Sequence, residues 1–233
     1  MKPLRDIVAA FSYFSILPVR HADEAPGDGA IAFLPLVGVI IGGFAGLGAY
    51  GVWLLTHSAL AAAITAWVLT IALSGAIHAD GFLDCCDGLL AMASPQRRLE
   101  IMRDPYHGTY AIVGMAIVSV AWLYALLQIP AVMMPAVLAG TGFLGRSMAL
   151  TLRPRNAIPV IVYGVLMVVV IAAVRDHLGT FVAVVLAAFV ATCVGIFARR
   201  RLGGVVSGDC YGAAIVVSEV VLLLAYPALV LLR

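Results

Sequence analysis

Long apolar segments make up most of this chain and restrict what it can fold into. Each of the seven longest approaches the roughly 20 residues that a helix needs to cross a lipid bilayer. They are residues 31–55, 59–77, 111–128, 131–152, 157–174, 180–198 and 213–232. Lys, Arg, Asp and Glu supply only 11% of the 233 residues, too few to cover a soluble protein of this size. The sequence therefore predicts an all-α, polytopic integral membrane bundle of about seven transmembrane helices, in one domain over residues 1–233.

The same composition excludes several other classes of protein. An apolar share of 64% is incompatible with a soluble enzyme, a disordered chain or a secreted disulfide scaffold. The four cysteines have no Cys-x-x-Cys spacing, so neither a zinc site nor a redox site is predicted. A net charge of +2 is too small to indicate nucleic acid as a partner. The predicted partner is the lipid bilayer, and formation of a homo-oligomer is left open.

The distribution of basic residues predicts how the chain is oriented. The apolar segment at residues 7–18 is too short to span a bilayer and predicts an N-terminal interfacial or re-entrant helix. With seven spans, eleven of the 14 Lys and Arg residues lie on one side of the membrane and two on the other. The positive-inside rule then places the N-terminus in the cytoplasm. Three polar segments, at residues 78–110, 153–156 and 199–212, lie on that side, so the chemistry is predicted there.

The densest group of charged residues follows the second predicted span, at residues 78–88. Asp80, Asp84 and Asp87 lie at i, i+4 and i+7, within an arc of about 60° on one face of a helix. Three carboxylates in this arrangement repel one another, so a cation is expected among them. Oxygen ligands suit Mg²⁺ or Mn²⁺, and Mg²⁺ commonly takes phosphate oxygens as further ligands. The pattern predicts a metal site for a phosphorylated substrate.

The alternative interpretation of this segment is a polar helix end with three solvated carboxylates. The scarcity of charge argues against it, because three of the twelve acidic residues lie within eight positions. Gly81 and Gly88 are expected to leave space for the ligand. His78 alone is more typical of a hydrogen-bonded residue at the end of a span.

Basic and polar residues elsewhere are candidates to bind an anion. Arg103 can form paired hydrogen bonds to phosphate, and Asp104 precedes a proline that is expected to end a helix. Backbone N–H groups at Gly108 and Thr109 precede the third span, where they are able to face an anion. The alternative is a simple loop with an Arg–Asp pair.

Two ionisable residues lie within predicted spans. Arg146 lies about two turns inside the fourth span, where an ionisable residue suggests a function by default, either binding phosphate or pairing with a carboxylate. The alternative is that its side chain extends to the membrane interface. Glu219 is either its partner or a separate hydrogen-bonding group. Residues 199–201 are three arginines that chiefly indicate topology, and the glycine-rich run after them ends in Gly208 and Asp209, with flexible backbone and one more carboxylate.

Five ordered blocks together resemble the cobalamin synthase (adenosylcobinamide-GDP ribazoletransferase) family. They are residues 11–19 with 33–42, 78–88, 100–109, 145–146 and 202–213. One departure is that the family usually carries a longer cytoplasmic loop after Arg146, where this chain keeps only residues 153–156. Either the chain is a short variant or part of its substrate recognition differs.

The resemblance implies that a hydroxyl of α-ribazole, or of its 5′-phosphate, attacks adenosylcobinamide-GDP and releases GMP. Mg²⁺ held by Asp80, Asp84 and Asp87 would bind the diphosphate, and Arg103 and Arg146 would neutralise the leaving group. The base is left open between Asp209, an aspartate of the acidic segment and His107. The substrate is further expected at His78, Asp104 and Gly208. The implied location is a bacterial or archaeal cytoplasmic (inner) membrane, with the active site in the cytoplasm.

Two other functions are compatible with part of this pattern. A CDP-alcohol phosphotransferase of lipid synthesis also holds metal on helical aspartates, but its usual Ala-Arg after the second Asp-Gly is missing here. A magnesium or cation transporter would need acidic residues near the bilayer midplane at repeated, broken helices, and no internal repeat is visible.

Overall fold

A computed structural model describes residues 2–17, 27–152 and 177–231. These residues form ten α-helices, and no strand occurs among them, so the predicted all-α class is confirmed. The helices are α1 (Lys2–Phe14), α2 (Asp28–Ile31), α3 (Leu34–Thr56), α4 (Ala59–Leu73), α5 (Ile77–Leu90), α6 (Pro95–Ile101), α7 (Thr109–Leu127), α8 (Met134–Ala149), α9 (His177–Arg201) and α10 (Gly208–Val230). Short 3₁₀ turns flank α8 at Ala131–Met133 and Leu150–Leu152.

Four of the described helices, α3, α7, α9 and α10, are long and apolar enough to cross a membrane. A fifth span results if α4 and α5 count as one bent segment. The predicted spans at residues 59–77 and 131–152 hold shorter helices, since α4 has 15 residues and α8 has 16. The predicted span at 157–174 and the segment 153–156 lie outside the described residues. A multi-span membrane bundle is therefore supported, and the number seven stays a prediction.

A sharp corner separates α4 from α5, whose axes differ by 89°. Gly75 (φ 60°) and Ala76 (φ 59°) both adopt left-handed backbone at this corner. Such a conformation is easy for glycine but costs about 1–2 kcal/mol for alanine. The backbone N–H of Ile16, just after α1, donates to the Leu73 carbonyl at 2.9 Å and ties the corner to the N-terminal segment. The aspartates predicted to share one helix face thus lie on a helix, α5, that is nearly perpendicular to α4.

The closest helix packing is between α3 and α8. Gly38, Gly42 and Gly46 recur every four residues along one face of α3, and each meets the backbone of α8. A Cβ atom at Gly38 would collide with the Gly142 carbonyl, and one at Gly42 with the Leu138 carbonyl. Small residues at this spacing let two membrane helices approach closely. The pair forms a tightly interlocked frame beside the rest of the bundle.

Glycines also set the distance between α5 and α10. A Cβ atom at Gly81 would lie 3.0 Å from the Cα of Asp209, and one at Gly212 would lie 3.1 Å from the His78 carbonyl oxygen. Gly88 packs in the same way against Met102, with the Arg98 carbonyl oxygen 3.1 Å from its would-be Cβ. The expectation that Gly81 and Gly88 leave space for a ligand is therefore wrong, because both positions are filled by neighbouring helices.

The predicted N-terminal helix is present, although it begins at Lys2 rather than at residue 7. Ala10 of α1 is fully buried against Ala30, Val37 and Ile41, while Leu4 near its start is 66% exposed. α1 therefore packs on α2 and the beginning of α3 along one face. Its placement at the membrane interface stays a prediction.

Candidate active site

A cavity of about 390 Å³ opens between α1, α5, α10 and the end of α8. Two carboxylates, those of Asp80 and Asp209, line it together with His78 and Gly208. The rest of the wall is apolar or aromatic and comprises Tyr13, Phe14, Ile31, Leu34, Ile77, Ala149, Leu150, Tyr211, Gly212 and Ile215. Four residues that the sequence predicted for the site thus line one cavity.

His107 lies close to two of the aspartates, Asp80 and Asp84. Its Nε2 lies 3.6 Å from the Asp80 carboxylate and its Nδ1 lies 3.7 Å from the Asp84 carboxylate. The side chains of Asp80 and His107 are 63% and 32% exposed, whereas that of Asp84 is 14% exposed. Burial and the negative charges of Asp80 and Asp209 both disfavour a charge on Asp84, and His107 opposes them. The group carries an excess of negative charge close to water.

Asp87 is directed elsewhere, towards the start of α7. One carboxylate oxygen accepts the backbone N–H of Gly108 at 2.5 Å, and the other accepts that of Ala111 at 3.0 Å. The backbone N–H groups at the start of α7 therefore do face an anion, as predicted, but this anion is the Asp87 side chain and not a ligand. No group of three or more His, Cys, Asp or Glu residues within the described ranges is arranged to hold a metal ion. The metal set of Asp80, Asp84 and Asp87 accordingly stays a prediction.

Arg146 forms a buried ion pair. Its Nη1 donates to the Glu219 carboxylate at 2.5 Å and to the Gly142 carbonyl at 3.2 Å, and its side chain is 2% exposed. Of the two roles left open for Glu219, the structure shows the pairing. Arg146 is not among the residues that line the cavity in the described part of the chain, so the structure does not bring it to the predicted substrate phosphate.

Arg103 and Asp104 lie in the exposed loop between α6 and α7. The helix before them ends at Ile101, as the Asp-Pro step predicted, and Asp104 accepts the Tyr106 backbone N–H at 3.0 Å. The same loop carries His107 to the aspartates. Gly208 and Asp209 stand in the first turn of α10 rather than in a loop.

Two arginines, Arg98 and Arg201, donate hydrogen bonds to carbonyl groups at the C-terminal end of α5. Arg98 donates from Nε and Nη2 to the Ala91 carbonyl at 3.1 and 3.0 Å. Arg201 donates from Nε to the Leu89 carbonyl at 2.7 Å and from Nη2 to Ala91 at 3.1 Å. Cations at a helix C-terminus satisfy its free carbonyls and its dipole. Arg201, counted in the sequence only for topology, thus helps to position α5.

Sequence analysis missed the aromatic wall of the cavity. Tyr13 and Phe14 come from α1, and Tyr211 comes from the first turn of α10. The N-terminal segment is too short to span the membrane but contains several aromatic residues. Such residues need a surface to pack against, so they were the signal in the sequence that α1 covers part of the protein.

Comparison with known proteins gives a consistent answer. The family profile described as cobalamin-5-phosphate synthase matches residues 6–227. A protein named adenosylcobinamide-GDP ribazoletransferase from Deinococcus radiodurans is 32% identical over 92% of this chain and 82% of its own length. Proteins of the same name from Roseiflexus sp. (strain RS-1) and Klebsiella pneumoniae (strain 342) are 29% and 30% identical, each over 95% of this chain and over 88% and 99% of their own lengths. No solved structure matches the chain.

Proposed function

The chain belongs to the cobalamin-5-phosphate synthase family, and from this we propose that it joins adenosylcobinamide-GDP to α-ribazole or α-ribazole 5′-phosphate. GMP leaves, and adenosylcobalamin or its phosphate forms. The observation that carries the proposal is the cavity in which Asp80, Asp209 and His78 meet beside Asp84 and His107. The family match supports neither a CDP-alcohol phosphotransferase nor a transporter.

The size of the cavity suggests how the two substrates divide the site. About 390 Å³ is within the range of pockets that enclose one drug-sized molecule. A corrin with its nucleotide arm is far larger, so its ring would remain outside. The exposed Asp80 side chain marks the open end, where the diphosphate of the arm would reach the carboxylates.

We further propose that Mg²⁺ or Mn²⁺ binds at these carboxylates. The donors are all oxygen, and Asp84 is pressed by the like charges of Asp80 and Asp209, an arrangement that a hard cation relieves. Asp87 would act beside this set, by fixing the start of α7, rather than within it. When bound, the cation supplies charge that binds and polarises the diphosphate.

The remaining steps fall to residues of the chain. His107 lies 3.6 and 3.7 Å from the carboxylates of Asp80 and Asp84, and the candidates to accept the proton of the attacking hydroxyl are His107, Asp209 and these two aspartates. Arg103 is exposed on the same loop and is the candidate to neutralise the leaving GMP. Gly208 leaves open space at the first turn of α10, so a phosphate is able to approach the backbone there.

We place the protein in a bacterial or archaeal cytoplasmic membrane, with the N-terminus and the site in the cytoplasm. The uneven distribution of the basic residues supports this orientation. The orientation can be tested with the variant Tyr106→Cys, in which the four native cysteines are replaced, by labelling the new cysteine in intact cells. Protection from an impermeant maleimide is expected, and labelling would contradict the orientation.

A reconstituted reaction tests the activity. The purified full chain in detergent, with Mg²⁺, adenosylcobinamide-GDP and α-ribazole 5′-phosphate, should release GMP and form a cobalamin product. Chelation by EDTA should stop the reaction, and Mg²⁺ or Mn²⁺ should restore it. Glu100→Gln, at an exposed ion pair with Arg97, is the matched control and should keep full activity. Absence of product where the Deinococcus radiodurans relative is active would contradict the proposal.

A further inference from the structure

Two buried cysteines lie next to each other at the contact between α5 and α10. The Sγ atoms of Cys85 and Cys210 are 3.9 Å apart, although the residues are separated by 125 positions in the chain. The two residues are 4% and 0% exposed, and both are free thiols. The spacing of the cysteines in the sequence does not indicate this pair, because helix packing creates it.

The backbone around the pair is suited to a disulfide. Gly81 lies one turn before Cys85 and packs against the backbone of Asp209. Asp209 directly precedes Cys210. A disulfide needs two Cα atoms within about 7 Å and side chains directed at each other. The glycine contact brings the two helix backbones together beside the pair, and the short distance between the sulfur atoms shows that the side chains face each other.

Both thiols are attached to the acidic site through the backbone. Asp84 directly precedes Cys85 on α5, just as Asp209 directly precedes Cys210 on α10. The sulfur atoms must approach by about 1.9 Å to reach the length of a disulfide bond, about 2.0 Å. The space at Gly81 is already filled, so α5 cannot meet this need by moving straight towards α10.

We propose that Cys85 and Cys210 form a reversible disulfide in the presence of peroxide, and that this bond lowers turnover at the acidic site. Closing the bond turns the cysteine side chains and the helix segments that carry them, which displaces the carboxylates of Asp84 and Asp209. The effect on turnover rests on the proposed function, whereas the formation of the bond does not.

The chemistry requires one oxidant, hydrogen peroxide. One thiol attacks the peroxide, becomes a sulfenic acid and releases water. The second thiol then attacks the sulfenic sulfur, so that the S–S bond forms and a second water leaves. Two thiols are oxidised and one H₂O₂ is reduced to two molecules of water. A thiol such as dithiothreitol reverses the reaction by exchange.

The pair is expected to be reduced at rest. Thiols in the cytoplasm are kept reduced, and the disulfides that form there are usually transient and often sense oxidation. Burial excludes bulky reagents from Cys85 and Cys210, whereas hydrogen peroxide is small and uncharged and reaches them during local opening of the helix contact. The alternative is that both are only small packing residues, in which case peroxide leaves no link between them.

The test follows the bond and the activity in one sample. The full chain in detergent is treated with hydrogen peroxide and digested, and mass spectrometry should find a peptide that links Cys85 to Cys210. The variant Cys86→Ala, treated in the same way, assigns the link to Cys85 rather than to its neighbour. GMP release should fall with the linked fraction, to about one hundredth in fully linked protein. Dithiothreitol should restore it.

Variants separate this bond from other oxidation. Cys210→Ala should keep its turnover under peroxide, because the link cannot form. Cys193→Ala, at an exposed thiol of α9, is the matched control and should remain as sensitive as wild type. If Cys210→Ala does not fold, Cys85→Ala serves the same purpose.

Three outcomes overturn the proposal. Absence of the linked peptide would leave the two cysteines as packing residues. A linked peptide with unchanged turnover would remove the effect on the acidic site. Equal loss of activity in Cys210→Ala and in wild type would place the sensitive group elsewhere. If untreated wild-type protein forms no product, the proposed activity fails, and the linked peptide alone decides whether the bond forms.

Discussion

The open acidic site and the buried Arg146–Glu219 pair are built in opposite ways, although both place charge within the helical bundle. Arg146 and Glu219 match one positive with one negative charge, at 2% and 8% side-chain exposure. Asp80 and Asp84 face His107 and are left with excess negative charge beside a cavity. A balanced pair in a dry interior holds helices together, whereas unbalanced charge next to open space needs a ligand. The comparison separates structural from functional charge.

The largest expected effect is on turnover at the acidic site. Asp84→Asn should lower kcat about 10³-fold or more, because it removes a carboxylate from the proposed metal site and from the neighbourhood of His107. The unfolding temperature should stay equal or rise, since the substitution relieves repulsion from Asp80 and Asp209. GMP release and thermal unfolding in detergent measure the two effects. A variant that unfolds at lower temperature would show that this carboxylate is structural.

The same carboxylate-to-amide change in the buried pair should have the opposite effect on stability. Glu219→Gln leaves the guanidinium of Arg146 buried without its counter-charge, which is expected to cost about 3–5 kcal/mol of unfolding free energy. The double variant Arg146→Met with Glu219→Leu should recover most of that loss. Thermal unfolding of these two variants and of the wild type checks both expectations. Equal stability of Glu219→Gln and wild type would remove the distinction between the two regions.

Substitution of a glycine should show how closely the acidic site depends on helix spacing. Gly81→Ala places a methyl group 3.0 Å from the Asp209 backbone, so α5 and α10 must separate at about 1–3 kcal/mol. Activity should fall by more than the loss of folded protein explains, because Asp80 and Asp209 move apart. Turnover and thermal unfolding in detergent measure the two effects. Gly43→Ala, which meets nothing within 4 Å on α3, is the matched control and should be neutral or slightly stabilising. Full activity of Gly81→Ala would contradict a strict spacing.

The smallest effect on activity is expected at Asp87. Its carboxylate is paired within the protein, as the carboxylate of Glu219 is, and not with a ligand. Asp87→Ala removes the carboxylate that accepts the backbone N–H groups of Gly108 and Ala111 at the start of α7, and it should destabilise the protein by about 1–2 kcal/mol. The Mg²⁺ concentration for half-maximal activity should stay within twofold of wild type. A tenfold rise would instead make Asp87 a metal ligand.

Much of the fold follows from the sequence alone. Runs such as residues 31–55 and 111–128 predict membrane helices, because lipid leaves the backbone no hydrogen-bond partner other than its own helix. The corner at Gly75 and Ala76 could not be foreseen, since alanine rarely adopts positive φ and no proline marks the break. The count of spans depends on that corner, which explains why the predicted segment 59–77 is cut short.

The candidate site was predictable in its residue types but not in its partners. The spacing of Asp80, Asp84 and Asp87 correctly places them along one helix, but spacing cannot reveal that the N–H groups of Gly108 and Ala111 occupy the third carboxylate. The pairing of Arg146 with Glu219 joins positions 73 residues apart, so it is a property of helix packing. The wall from α1 was missed for the same reason.

The interlocked glycines of α3 and α8 also bear on how the protein can move. Helices whose backbones touch cannot slide or tilt without collision, so Gly38 and Gly42 make that side of the bundle stiff. Leu34 at the start of α3 and Ala149 at the end of α8 line the cavity, so this stiff pair forms one of its walls. A wall that cannot shift keeps its shape whether the cavity is empty or filled.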